Sequence, residues 1–284
     1  MKRVLPAVES VRPDSDGMAE LVALLQQQFA AVAGALVPLC DQVAQLYRHG
    51  SGRWQPCRAP YHDLGHAVAV SLLALRLLAG WQQLRCQVAS AMAVRGLLAA
   101  ALLHDSGYLL RHSETGRGGQ HTFDHVVRGQ RLAAHLLAEQ GWERETITLV
   151  QQLIGATEFA GARPEVQLAE PFRVLPDLLT SADLLAQVTA PDYPERLTDL
   201  YAEFSEAYLA HGRVTLRQQG YFLFDDLTAL QRGSAAFVRQ RVLPQLAALG
   251  LAEPCLQAFY GRADHPYACQ LQTNLQRLDA LAGR

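Results

Sequence analysis

The chain has 284 residues, half of them apolar, and a formal net charge of −2. That balance offers no basis for nucleic-acid binding or for attraction to an anionic membrane. Five cysteines (Cys40, Cys57, Cys86, Cys255 and Cys269) are odd in number and form no C-x-x-C pair. This argues against a zinc ribbon or a disulfide framework, and for a cytoplasmic location.

Residues 1–17 are polar and contain Pro6 and Pro13, as expected of a flexible N-terminal arm. Glu9, Asp14 and Asp16 interrupt any signal-peptide core. From Met18 to about Tyr47, apolar residues recur at helical spacing (Leu21, Leu24, Leu25, Phe29, Val32), which predicts one long helix. His49-Gly50-Ser51-Gly52 ends it. Pro60 is suited to open a second helix, from Tyr61 to about Trp81, because its missing N–H costs nothing in a first turn. A third is expected over about 87–104, stopping before Gly107, and residues 111–120 read as a polar, glycine-rich loop. Further helices are expected over about 122–140, 143–158, 171–188, 195–211, 225–247 and 251–260, with a last one at the end of the chain. Phe222 to Phe224 could be extended, but no run alternates as a strand does. Continuous apolar runs such as Gly96 to Leu103 fall short of the roughly 20 residues a membrane span needs. No linker separates two cores, so residues 18–284 are expected to form a single all-α domain. Its oligomeric state is open, and a homo-oligomer is one possibility.

Four clusters carry chemistry. His62 and His66 are four apart, on one face if both are helical, so that one imidazole could hold a metal and the other move a proton; a surface coincidence is the alternative. His104-Asp105 ends a helix that is apolar on every side. Such a buried pair needs either a mutual hydrogen bond or a bound cation. Asp183 interrupts another apolar helical stretch, as a ligand or as an acid on a polar face beside Ser181. His121 and His125 follow the glycine-rich loop, and His125 is the stronger candidate for work near a metal. Arg111, Arg117 and Arg128 near that loop either guide phosphate or are simply solvated.

Together these clusters give a histidine, then His-Asp, then a distant aspartate, each on a helix. The pattern resembles the HD superfamily of metal-dependent phosphohydrolases. The stretch Pro60-Tyr61-His62-Asp63-Leu64-Gly65-His66-Ala67 resembles the P-Y-H-N-x-x-H-A segment of class I cyclic-nucleotide phosphodiesterases. Leu103-His104-Asp105 is similar to their HD motif, and Ser181-Ala182-Asp183-Leu184 to their C-A-D-L segment. Weaker likenesses are Phe123-Asp124-His125, Ala156-Thr157-Glu158 and the helix from Phe237 to Pro244. The resemblance implies an HD-domain, phosphodiesterase-like helical bundle. It implies that His66, His104, Asp105 and Asp183 hold a divalent metal, and that Asp105 bridges to a second one completed mostly by water. The ions would be Zn²⁺, Mn²⁺, Mg²⁺ or Fe²⁺. A water acidified between the cations would attack phosphorus, with His62 as general acid and His125 orienting water. Tyr61 and Phe237 would meet the substrate, a small phosphorylated metabolite such as a nucleotide.

Several positions depart from the family pattern. Asp63 stands where the family has asparagine, and Ala69 where it has a later aspartate. Ser106-Gly107-Tyr108 replaces the run that holds its second histidine. Ser234 takes the place of its purine-gripping glutamine, with Gln231 one turn earlier. Cyclic AMP or cyclic GMP is therefore not the expected substrate. Two other readings follow from the same residues: a ligand-sensing protein without turnover, and a di-iron oxygenase in which His121 and His125 would complete the ligand set.

Overall fold

A computed structural model describes residues 16–158 and 168–283. Most of the proposed arm lies outside the described residues, but Asp16 and Gly17 already belong to the first helix, α1 (Asp16–Gln28). The single long helix expected over 18–47 is in fact two. Phe29 (φ −133°, ψ 39°) breaks it, and α2 runs Ala30–His49. Phe29 stays buried and Val32 stays on the same apolar side, so the hydrophobic period continues across a break made by one residue's dihedrals.

The next helix, α3 (Leu64–Arg85), lies at the centre of the fold, packed against helices from both halves of the chain. It starts later than its sequence pattern suggests. Asp63 is the N-cap, accepting the His66 N–H at 2.9 Å, so His62 sits in the turn before the helix. Next comes α4 (Ala91–Leu103), which Ser90 caps through the Ala93 N–H and which is buried along nearly its whole length. Short 3₁₀ turns at Ser106–Tyr108 and Gly119–His121 flank the glycine-rich loop. They lead into α5 (His125–Glu139), α6 (Arg144–Gly155) and α7 (Leu175–Val188).

The second half contains α8 (Tyr193–His211), the short α9 (Arg213–Gln218) and α10 (Leu227–Phe237). A π turn at Val238–Val242 joins α10 to α11 (Leu243–Leu249), where one uniform helix was expected. Pro244, in the first turn of α11, cannot donate to the carbonyl four residues back, and a widened turn accommodates that loss. The chain closes with α12 (Ala252–Tyr260) and α13 (Pro266–Ala282). Phe222 to Phe224 form no strand. Among the described residues there are only isolated bridges, Ser51–Trp54 and Trp54–Arg111.

One apolar cluster draws buried side chains from every helix except α9, with α3 and α4 at its middle, and Leu216 of α9 packs with Tyr208 and Leu223 in a second, smaller one. By length and composition, α2 and α3 could each cross a membrane, although neither is an unbroken apolar run. Length of run was therefore too strict a sequence test. In this fold α3 is mostly covered by its neighbours, which accounts for apolar residues on all its sides. Two glycines set how closely α5 approaches the end of α4. A Cβ on Gly107 would lie 1.9 Å from the His125 carbonyl oxygen, and one on Gly129 would lie 2.8 Å from that of His104.

A candidate metal centre

Three helices bring four side chains to one point. His66 comes from the first turn of α3, His104 and Asp105 follow the end of α4, and Asp183 lies in the middle of α7. His66 Nε2 is 3.3 Å from Asp105 Oδ2 and 3.3 Å from Asp183 Oδ1. His104 Nε2 is 2.9 Å from Asp105 Oδ2 and 3.5 Å from Asp183 Oδ1. His66, His104 and Asp183 each aim one ligand atom into a space where all three atoms lie within 4.8 Å of one another.

The donor set fits a divalent cation. The Nδ1–H of His104 donates to the Ala101 carbonyl at 2.9 Å, which fixes the tautomer and turns the Nε2 lone pair into the cluster. That buried Nε2 has no hydrogen-bond partner, because the nearby Asp105 oxygen lies outside hydrogen-bonding geometry. Without an ion, protons must supply the positive charge. Burial opposes the charge on His66, but hydrogen bonds and attraction from Asp105 and Asp183 outweigh it and push the imidazole up to about 9. His104 is raised well above its ordinary value by the same two carboxylates, again against burial. Asp105 and Asp183 are held below the usual carboxylate range, burial being overcome chiefly by His104. Two imidazolium protons carry the same charge as one divalent ion, so the cluster is balanced for that exchange.

Two further histidines face this centre. His125 opens α5, and its Nδ1–H donates to the Thr122 carbonyl at 2.8 Å. Its Nε2 is 3.6 Å from Asp105 Oδ1, the carboxylate oxygen turned away from His66 and His104. Burial, reinforced by His62, lowers its pKa, so the ring is neutral near pH 7. His62 behaves in the opposite way. Burial disfavours its charge, but Glu203, whose Oε2 is 2.5 Å from Nδ1, raises its pKa. Glu203 is fully buried and is held below the usual carboxylate range, burial being outweighed by His62. Its other oxygen accepts the backbone N–H groups of Tyr61 (2.8 Å) and His62 (3.1 Å).

Glu203 was missed in the sequence. It lies on α8, beside the apolar positions Leu197, Leu200 and Ala207, so it interrupts a core-facing stripe as Asp183 does. The same helix carries two more anchors. Arg196 donates to the carbonyls of Pro60 (3.1 Å) and Tyr61 (2.6 Å) and to Asp63 Oδ2 (3.0 Å). Glu206 accepts the N–H groups of Arg117 (2.7 Å) and Gly119 (3.0 Å) in the glycine-rich loop.

The remaining candidates are placed as follows. Tyr61 is buried, with Arg196 over its ring at 4.8 Å. Phe237 is half-buried against the core at the end of α10. Ser234 is buried, and its hydroxyl donates to the Leu230 carbonyl at 2.7 Å. His121 pairs with Asp124 at 3.1 Å and lies near Glu114 at 3.8 Å, in the loop. Arg128 neither meets bulk water freely nor points at the cluster. It clasps Glu114 with both terminal nitrogens at 3.0 Å and donates to the carbonyls of Gly107 and Leu109, fastening the loop to the turn after Asp105. Arg111 lies over the Trp54 ring at 5.5 Å.

No family model matches this chain, and no curated protein matches it. Solved structures do. The phosphodiesterase domain of a RhoPDE fusion protein from the choanoflagellate Salpingoeca rosetta is similar over 97% of this chain and 94% of that one, with a TM-score of 0.63 and 18% identity. A second structure of the phosphodiesterase domain of the rhodopsin phosphodiesterase of that organism covers 96% and 89%, with a TM-score of 0.60 and 18% identity. The helical fold is that of these domains.

Proposed function

We propose that a chain with this fold and this cluster is a metal-dependent phosphohydrolase acting on a phosphate ester of a nucleotide or another small phosphorylated metabolite. One observation carries the reading: three segments far apart in sequence bring ligand atoms of His66, His104 and Asp183 together, with Asp105 Oδ2 3.3 Å from His66 and 2.9 Å from His104. They would hold one divalent ion. Asp105 Oδ1, which faces His125, would reach a second ion completed mostly by water. Bound there, such cations acidify water and draw charge from a phosphoryl oxygen.

The chain's own residues supply the proton chemistry. Glu203 engages Nδ1 of His62 and raises its pKa, which favours the protonated ring and leaves Nε2–H to protonate the departing ester oxygen. Neutral His125 presents an Nε2 lone pair beside Asp105, suited to accept a hydrogen bond from the attacking water and orient it. The near-total burial of Glu203 strengthens its hold on His62.

The substrate is less constrained than the reaction. At the position matched to the purine-gripping glutamine, the Ser234 hydroxyl is spent on its own helix, so no amide grips a base there. The di-iron alternative requires His121 beside His125 at the cluster, whereas His121 pairs with Asp124. The test is purified protein with Mn²⁺ or Mg²⁺ against a panel of phosphomonoesters and phosphodiesters. Turnover by wild type that is lost in Asp105→Ala is expected. Equal inactivity of the two on every ester rules the activity out.

A further inference from the structure

Tyr108 ends the 3₁₀ turn that begins just after Asp105, and it is one of the largest fully enclosed side chains. Its ring centroid lies 4.3 Å from that of His62, with the planes 7° apart, and 4.8 Å from that of His125, with the planes 27° apart. The two imidazole centroids are 6.2 Å from each other, with their planes 24° apart. One phenol ring is thus packed against both imidazoles. These are the two histidines that border the cluster without belonging to its ligand set.

The ring is itself fixed from three directions. Its backbone N–H donates to the Asp105 carbonyl at 3.1 Å, tying it to the ligand-bearing turn. Its hydroxyl faces Thr122. The Thr122 hydroxyl donates onward to the Gly119 carbonyl at 2.7 Å, and the Thr122 carbonyl receives the His125 Nδ1–H. The glycine-rich loop runs against its backbone: a Cβ on Gly118 would lie 2.4 Å from the Tyr108 carbonyl oxygen. Glu203 and Thr122 each tether one nitrogen of an imidazole, but a single hydrogen bond leaves the ring free to swing about it. A flat surface against the ring removes that freedom.

We infer that Tyr108 is a positioning residue: its ring is the shared backing that holds His62 and His125 at a fixed spacing and in nearly parallel planes, so that proton donation to the leaving oxygen and orientation of water stay in register. The inference rests on the hydrolase reading above and names a residue outside the ligand set and outside the two proton-handling histidines. Tyr108 is closed off from solvent, so it acts through its neighbours and touches no substrate.

The test compares wild type, Tyr108→Phe and Tyr108→Leu, loaded with Mn²⁺, on two aryl phosphodiesters, one leaving as p-nitrophenolate and one as the poorer phenolate. A poor leaving group needs His62 more. In Tyr108→Leu, kcat should fall by roughly tenfold to a hundredfold on the phenyl ester and by less on the p-nitrophenyl ester. KM and bound metal should stay near wild type, and Tyr108→Phe should restore most of the rate. If Tyr108→Leu does not fold, Tyr108→Met, of similar bulk but without a ring plane, replaces it. Proton spectra of the zinc-loaded proteins supply a readout independent of turnover. The His62 and His125 ring lines should move in the Leu variant and hold in the Phe variant, while those of His66 and His104 hold in both. Unmoved His62 and His125 lines overturn the inference, as does an equal loss of rate on both esters. Wild type no more active than Asp105→Ala on these two diesters moves the comparison to phenyl and p-nitrophenyl phosphomonoesters; equal inactivity there and on the whole panel above removes the hydrolase reading, and the positioning role with it.

Discussion

A carboxylate on the far side of an imidazole decides whether that imidazole can serve as an acid, and Glu203 is that group for His62. In Glu203→Gln, burial remains and its counterweight goes, so His62 should lose its proton at a lower pH. The alkaline limb of the rate profile should then move to lower pH, with kcat at pH 8 down by at least roughly tenfold. Stability should follow the same pair. His62, raised, contributes fully below its ordinary value of 6.5 and loses that contribution as pH rises through its folded value. Glu203, lowered, contributes above its ordinary 4.5 and loses that contribution as pH falls through its folded value. Thermal melts of wild type and Glu203→Gln should therefore differ most between these two values, by about 3 kcal/mol for a broken buried pair. Equal melting at pH 5.5 would contradict the pairing. At the candidate metal ligands, protons and a cation would compete. His66 is pushed up to about 9, and His104 is also raised, so calorimetric affinity for Zn²⁺ should climb steadily from pH 6 toward pH 9, with proton release on binding.

At the scale of helices and turns, the site depends on where elements end. The His-Asp pair follows the last residue of α4, and the turn after it meets the first residue of α5 with no room for a side chain at Gly107. Gly107→Ala should push His125 away from Asp105. Melting should show a loss of about 1–3 kcal/mol from the overpacking, with kcat falling further than zinc affinity, since His125 is outside the ligand set. The fold class and most helices were legible because apolar period and capping residues are local properties of the chain. The break at Phe29 was not, because the hydrophobic stripe runs through it unchanged. The start of α3 was set three residues too early, because Pro60 is a weaker marker than the cap made by Asp63. The ligand types were legible as charged groups in apolar stretches, but their meeting point depends on how α3, α4 and α7 cross. Glu203 carried the same signal as Asp183, an acid beside core positions, and went unread because no short motif surrounds it. Tyr108 stood out only as a departure from a family pattern; its packing on two rings is purely three-dimensional.

For the molecule as a whole, the centre bridges segments far apart in the chain, so ion binding and folding should be coupled. At a free Zn²⁺ concentration a hundredfold above the dissociation constant, binding should stabilise the fold by about 2.7 kcal/mol. For a chain of this size that raises Tm by about 4–5 °C. EDTA should reverse the rise, and Asp183→Ala should abolish it. The candidate ligands come from α3, the turn after α4, and α7, whereas the partner of His62 and the anchors of both neighbouring loops come from α8 through Arg196, Glu203 and Glu206. This separation gives the molecule two independent points of failure. Damage along α8 should yield a protein that stays loaded yet idle, and damage on α7 one that empties while its acid remains primed. A collection of inactive variants should therefore sort into two groups by ion content alone, and the group should reveal which helix was hit.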